Sequence, residues 1–187
     1  MAAVDGGPGT RLFTVGHGTL SSDELAALLE GAGVESLVDV RTAPGSRRHP
    51  QFARAEMEQW LPARGVVYRW EQALGGFRRA APDSPNTALR HPGFRGYADY
   101  MRTREFSEAL DGVVQEAGGR PVTVMCAETL WWRCHRRLIA DAAVLLREID
   151  VVHLGHDGRL TTHRPTEGAR VEGDHLVYDG GQPRLSP

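Results

Sequence analysis

Five short apolar runs punctuate the chain: Leu12 to Val15, Ser36 to Val40, Val66 to Trp70, Val122 to Met125 and Val151 to Leu154. Each is four or five residues long and closed by turn or polar residues, the length of a buried strand rather than a helix. Between them the apolar positions recur three or four apart. Ser21 and Glu24 make a capping box ahead of Leu25, Leu28 and Leu29, which predicts a first helix ending near Gly31 or Gly33. Further helices are expected from Ala53 to Arg64, Tyr97 to Met101, Glu105 to Ala117 and Arg136 to Arg147, with Gly118-Gly119 closing the third of these. Strands alternating with helices imply a mostly parallel sheet, because a parallel connection needs a crossover that a helix supplies. Beyond Gly158 the pattern reads as a small hairpin, with His175 to Tyr178 its clearest strand. The expected fold is a single α/β domain over residues 10–157, its mostly parallel sheet flanked by helices, with a small C-terminal β-hairpin and tail over 158–187 packed on it. Strand order is not legible in the pattern. Two segments carry no rhythm, Thr42 to Pro50 and Leu74 to Gly96, and long irregular loops inside a compact domain tend to be functional.

Polar groups gather where the strands stop. The first run ends in Gly16-His17-Gly18-Thr19, the second carries Asp39 and runs into Arg41, and the last carries His153 ahead of Gly155-His156-Asp157. The fourth ends in Met125-Cys126-Ala127-Glu128, followed by Trp131-Trp132-Arg133-Cys134-His135-Arg136-Arg137. Ligands of open parallel sheets bind outside the carboxyl ends of the strands, so four such ends on one rim predict a cleft.

Composition changes this picture in two ways. The 41% apolar and 25% charged fractions over 187 residues fit one soluble globular domain. All 22 basic residues are arginine, so no lysine amine is available for a Schiff base, and lysine aldolases, pyridoxal enzymes and lysine-dependent lyases are excluded. A GC-rich genome is the simplest source of the bias, but it does not explain why Arg41, Arg47, Arg48, Arg133, Arg136 and Arg137 sit in the expected functional loops, where a guanidinium fork suits phosphate. The net charge of -2 hides that clustering. Two cysteines make no disulfide framework, no apolar stretch has the length of a membrane span, and Met1 to Gly9 lacks the features of a signal peptide; a cytoplasmic location is expected.

Carboxylates at the ends of apolar strands are pulled two ways, up by desolvation and down by neighbouring arginines, and Glu128 and Asp39 are expected to act as acid and base. A buried salt bridge is an equal reading for Asp39. With His17 as a polarising donor, this is the equipment for hydrolysing an N-glycosidic bond. Cys126 is the alternative nucleophile, although Ala127 to Trp131 has no glycine and begins with a carboxylate that would repel an anion. Cys126, Cys134 and His135, with His17 or His153, could ligate zinc, but their spacing matches none of the common zinc signatures, and no metal or other cofactor is expected. Substrate contacts are assigned to Arg41, Ser46, Arg47, Cys134, His135 and Arg136, with Phe94, Tyr97, Trp131 and Trp132 as stacking surfaces for a base. Packing a helix face is the simpler role for Tyr97.

Thr14-Val15-Gly16-His17-Gly18-Thr19, Leu37-Val38-Asp39-Val40-Arg41, Pro44-Gly45-Ser46-Arg47, Leu74-Gly75-Gly76, Gly93 to Met101, Met125-Cys126-Ala127-Glu128 and Cys134-His135-Arg136 together resemble the DUF488 family over roughly His17 to Leu154. Gly18 departs from the serine usual there. The resemblance implies an α/β fold and a role for the rim residues, and a link of some members to DNA repair by removal of modified bases. The resulting expectation is a metal-independent hydrolase acting on nucleic acid or a nucleotide, a monofunctional DNA glycosylase. A cysteine-dependent phosphatase or sulfurtransferase and a noncatalytic nucleotide-binding module are the alternatives.

Overall fold

All five apolar runs form strands in a computed structural model of the chain, which describes residues 10–45 and 47–181. In chain order the elements are β1 (Arg11–Gly16), α1 (Ser22–Gly31), β2 (Ser36–Asp39), α2 (Arg54–Ala63), β3 (Val67–Trp70), α3 (Pro92–Tyr100), α4 (Arg104–Ala117), β4 (Val122–Cys126), α5 (Arg136–Arg147), β5 (Asp150–Leu154), β6 (Leu160–Thr162), β7 (Ala169–Glu172) and β8 (His175–Tyr178). The main sheet has the order β3-β2-β4-β1-β5-β6, with β1 to β5 parallel and β6 antiparallel on β5. Because β1 lies between β4 and β5, and β4 between β2 and β1, the loops after β1, β2 and β4 emerge side by side.

Strands β1, β2, β4 and β5 are buried on both faces, and alternate residues feed two cores. Leu12, Val38, Val40, Val122 and Val124 pack with Tyr97, Phe106, Leu110, Leu138 and Ile139 of α3, α4 and α5. Phe13, Val15, Leu37 and Met125 pack on the other side with Leu25, Leu29, Met57 and Leu61 of α1 and α2. The capping box is formed, Ser21 Oγ accepting from Glu24 N at 3.2 Å and Glu24 Oε2 accepting from Ser21 N at 2.7 Å.

Two elements differ from the pattern. Helix α3 begins at Pro92, five residues before Tyr97, because His91 caps it by accepting from Gly93 N at 3.1 Å and proline is pre-set for the first helical turn. The tail does more than make a hairpin: β6 extends the main sheet, with Thr161 opposite His153, and only β7 and β8 pair as the expected hairpin. Leu176 and Tyr178 of that hairpin are buried in the core beneath α5. No helix among the described residues is long and apolar enough to cross a membrane.

A buried polar chain ties this tail to the sheet. Asp141 on α5 accepts from His163 Nε2 at 3.0 Å, Thr166 N at 2.7 Å and Tyr178 OH at 3.0 Å. His163 Nδ1 then receives His153 Nε2 at 2.9 Å, and His153 Nδ1 receives the Thr14 hydroxyl at 2.7 Å. Trp131 stacks on His153 at 3.9 Å between ring centres. Burial, followed by the charges of His163 and Arg136, pushes His153 down to about 3. Unfolding releases it to the ordinary histidine range near 6.5, so between those values the unfolded chain binds the extra proton. Stability therefore falls as pH drops through that window, by up to about 1.4 kcal/mol per pH unit from this group. Urea melts from about pH 7 to about pH 4.5 are expected to show a steeper loss in the wild type than in His153→Gln; parallel slopes would refute the assignment.

Candidate functional site

At the carboxyl ends of β1, β2 and β4 lies a cleft of about 560 Å³. Its walls are His17 and Gly18 after β1, Arg41, Ala43, Gly45, Arg47, Arg48 and His49 after β2, and Ala127, Glu128 and Thr129 after β4. The β1 and β4 loops are held together by a continued ladder, His17 N donating to Cys126 O at 3.0 Å and Gly18 N to Ala127 O at 2.9 Å. Glycine is required at 16, where a Cβ would run into the Glu128 carbonyl and the Arg136 guanidinium. Gly18 has φ +52°, and a Cβ there would strike Thr129 Oγ1, which accounts physically for the absence of a serine.

Arg41 forms the floor. Its Nε donates to Asp39 Oδ1 at 2.8 Å, Nη2 to Asp39 Oδ2 at 2.5 Å and to Phe52 O at 2.8 Å, and its backbone N–H to Oδ1 at 3.0 Å. Tyr68 adds a fourth donor to Asp39 at 2.8 Å. Burial disfavours the Arg41 cation, but the hydrogen bond and charge of Asp39 outweigh it and hold the guanidinium pKa above its usual value. Asp39 is fully buried with its oxygens taken, so of its two expected roles the geometry is that of the salt bridge. Tyr68 is pushed above its ordinary range by burial and by Asp39.

His17 lies over Phe52, ring centres 4.3 Å apart. The partner of Nδ1 is the Gly18 carbonyl at 3.0 Å, so Nδ1 carries the proton and Nε2 turns its lone pair toward Arg41 Nη1, 3.5 Å away. Burial above all, with Arg41 and His49 adding to it against the Gly18 bond, lowers His17 to about 4. It is a neutral imidazole whose free nitrogen accepts, where the sequence suggested a donor.

Glu128 is exposed, and its carboxylate has no hydrogen bond or ion pair among the described residues. Its backbone carbonyl is gripped by Arg136, which is buried and also donates to Thr129 O at 3.5 Å. Arg47 and Arg48 are exposed on the facing wall without an ion-pair partner among the described residues, and Ser46 lies outside those residues. The cleft thus unites His17, Arg41, Arg47 and Glu128.

The remaining expected residues lie elsewhere. Cys126, Cys134, His135 and Arg136 stand behind the rim and do not line the cleft. The hydrogen bond with Cys134 and then burial push the Cys126 thiol up, while that same bond, with His135 and Arg136, pulls Cys134 down. Tyr97 is buried and donates to Leu74 O at 2.8 Å, Phe94 packs on the core, and Trp131 is the lid over His153. Trp132 projects from the short turn Trp131–Arg133, half exposed. Sequence reasoning missed His49, Phe52, Tyr68 and Thr129 as supports or walls; the irregular Thr42 to Pro50 stretch was the one signal pointing to His49.

Fold and site define a doubly wound parallel α/β protein with a cationic, single-carboxylate cleft at the carboxyl edge of its sheet. The family pattern described as "Domain of unknown function DUF488" matches residues 21–143, and the chain belongs to that family. No curated protein and no solved structure shows significant similarity to it.

Proposed function

We propose that the cleft binds a nucleotide of a nucleic acid and that the protein hydrolyses its N-glycosidic bond, as a monofunctional DNA glycosylase releasing a modified or damaged base. The observation that carries this reading is one cleft lined by Arg41, Arg47, Arg48, His17 and Glu128, whose carboxylate has no partner among the described residues. A volume near 560 Å³ is in the range of small-molecule sites and suits one nucleoside. The arginines supply phosphate contacts. Glu128 orients water and balances the positive charge that develops on the sugar; the C–N bond breaks, the water's oxygen bonds the sugar carbon, its proton passes to His17 Nε2, and the departing base takes a proton from solvent. The exposed Phe77, at φ +58°, and Trp132 supply stacking faces beside the rim; Gly76, next to Phe77, accepts from Thr42, which precedes the cleft residue Ala43. Without lysine, the product is an intact abasic site.

The cysteine-nucleophile alternative has less support, since Cys126 is buried, its pKa is raised, and it does not face the cleft. The test is a panel of labelled duplexes carrying different modified bases, incubated with the protein and then cleaved with alkali. Strand breaks at one class of modified base are expected; no abasic product across the panel would overturn the reading. Binding should also weaken with salt, and Arg47→Ala with Arg48→Ala is expected to reduce the slope of log K against log salt by about 2, roughly 0.9 per lost phosphate contact. An unchanged slope would place the phosphates elsewhere.

A further inference from the structure

Behind the cleft, the end of β4 and the entry to α5 bring three soft ligand atoms together. Cys134 Sγ lies 3.6 Å and Cys126 Sγ 3.9 Å from His135 Nδ1, and all three atoms fall within 4.8 Å of one another. Zinc bonds of about 2.3 Å to sulfur and about 2.05 Å to nitrogen at tetrahedral angles separate sulfur from nitrogen by about 3.6 Å. The two sulfur-to-nitrogen distances lie at or near that value.

Three neighbours support the same conclusion. His135 Nε2–H donates to Val40 O at 2.9 Å, which fixes the tautomer with Nδ1 bare and supplies the outer-shell bond that metal-bound histidines make. Arg136 is buried, with its Nε 3.5 Å from Cys134 Sγ, and no carboxylate pairs with it among the described residues. A buried guanidinium calls for an anion, and a thiolate is the group at hand. At Gly76 a Cβ would stand 3.0 Å from Nδ1, so any side chain there would crowd the ligand atom.

We propose that Cys126, Cys134 and His135 hold a zinc ion, with water as the fourth ligand. Thiolate and imidazole select zinc over magnesium or calcium. The ion closes residues 127–133 into a loop and, through Val40, ties that loop to the end of β2. Its role is to fix the backbone that presents Glu128. The spacing of residues 126, 134 and 135 matches no common zinc signature, which is why sequence reading expected no metal.

This proposal does not depend on base excision. Protein purified under reducing conditions and desalted is expected to retain about one zinc per chain by mass spectrometry, to melt lower after chelation and to recover on reloading. Cobalt added to the stripped protein should give sulfur-to-cobalt charge-transfer absorption, and Cys134→Ser and His135→Gln should bind at least about tenfold more weakly. Because a ligand variant can lose its fold, circular dichroism accompanies each, and the wild-type chelation and reloading cycle stands without any variant. Folded, reduced protein that carries no zinc and gives no charge-transfer band overturns the proposal. So does cobalt binding of unchanged affinity and unchanged band intensity in Cys134→Ser, or a Cys126–Cys134 disulfide in metal-free protein from a reducing lysate.

Discussion

Glu128→Gln is expected to slow excision of the modified base by roughly 10²- to 10⁴-fold, the usual worth of a positioned acid or base. The amide keeps the shape of the side chain but neither takes a proton nor balances a developing positive charge. Since the Glu128 carboxylate has no partner among the described residues, its loss leaves nothing else unpaired, and the fold and melting temperature should stay as they are. Affinity for the duplex should hold or rise slightly, because a negative charge leaves a wall that faces phosphates. Single-turnover cleavage and binding of the same labelled duplex separate the two effects. A full rate in Glu128→Gln would remove Glu128 from the chemistry, and tight binding without turnover in the wild type would favour the noncatalytic module.

Asp39→Ala should act on stability instead. It removes the acceptor of the Arg41 Nε and Nη2 bonds, of the Arg41 backbone amide and of the Tyr68 hydroxyl, and leaves a buried guanidinium without its counter-ion. Breaking one partner of such a buried pair costs about 3–5 kcal/mol. For a domain of this size, that corresponds to a melting temperature roughly 6–20 °C lower. Replacing both partners, Asp39→Ala with Arg41→Met, should recover part of the loss, since an apolar pair carries no unpaired charge. A double variant no more stable than Asp39→Ala would argue that the Phe52 carbonyl and Tyr68 hydroxyl, rather than the charge, set the cost.

The backbone layout was legible because buried strands leave unbroken apolar runs and amphipathic helices leave a three-to-four rhythm. Helix α3 was placed late because its first turn rests on a histidine cap and a proline, with little apolar rhythm before Tyr97. Strand β6 was invisible because Leu160–Thr162 is exposed throughout, and its place is set by the edge of β5 rather than by its own pattern. At the site, strand ends correctly pointed to a common rim for His17, Arg41, Arg47 and Glu128. Which face of the rim each side chain takes was not legible: Cys126 follows Met125 by one residue, and that single step carries its thiol to the core of α3 to α5 while Met125 joins the core of α1 and α2. His153 had the look of a site residue for the same reason. Only three-dimensional packing reveals that it serves the chain from Thr14 to Asp141.

The three-residue strand beside β5 has a practical consequence for anyone dividing the chain. Val151, Val152 and Leu154 form an apolar ribbon whose outer edge is paired by Leu160–Thr162 and by His163, which donates its N–H to Val151 O at 2.8 Å. A fragment cut just after Gly158 would bare that ribbon as an adhesive margin, open to pairing with a second fragment, as uncovered sheet edges do. The short tail strand covers the parallel edge of β5.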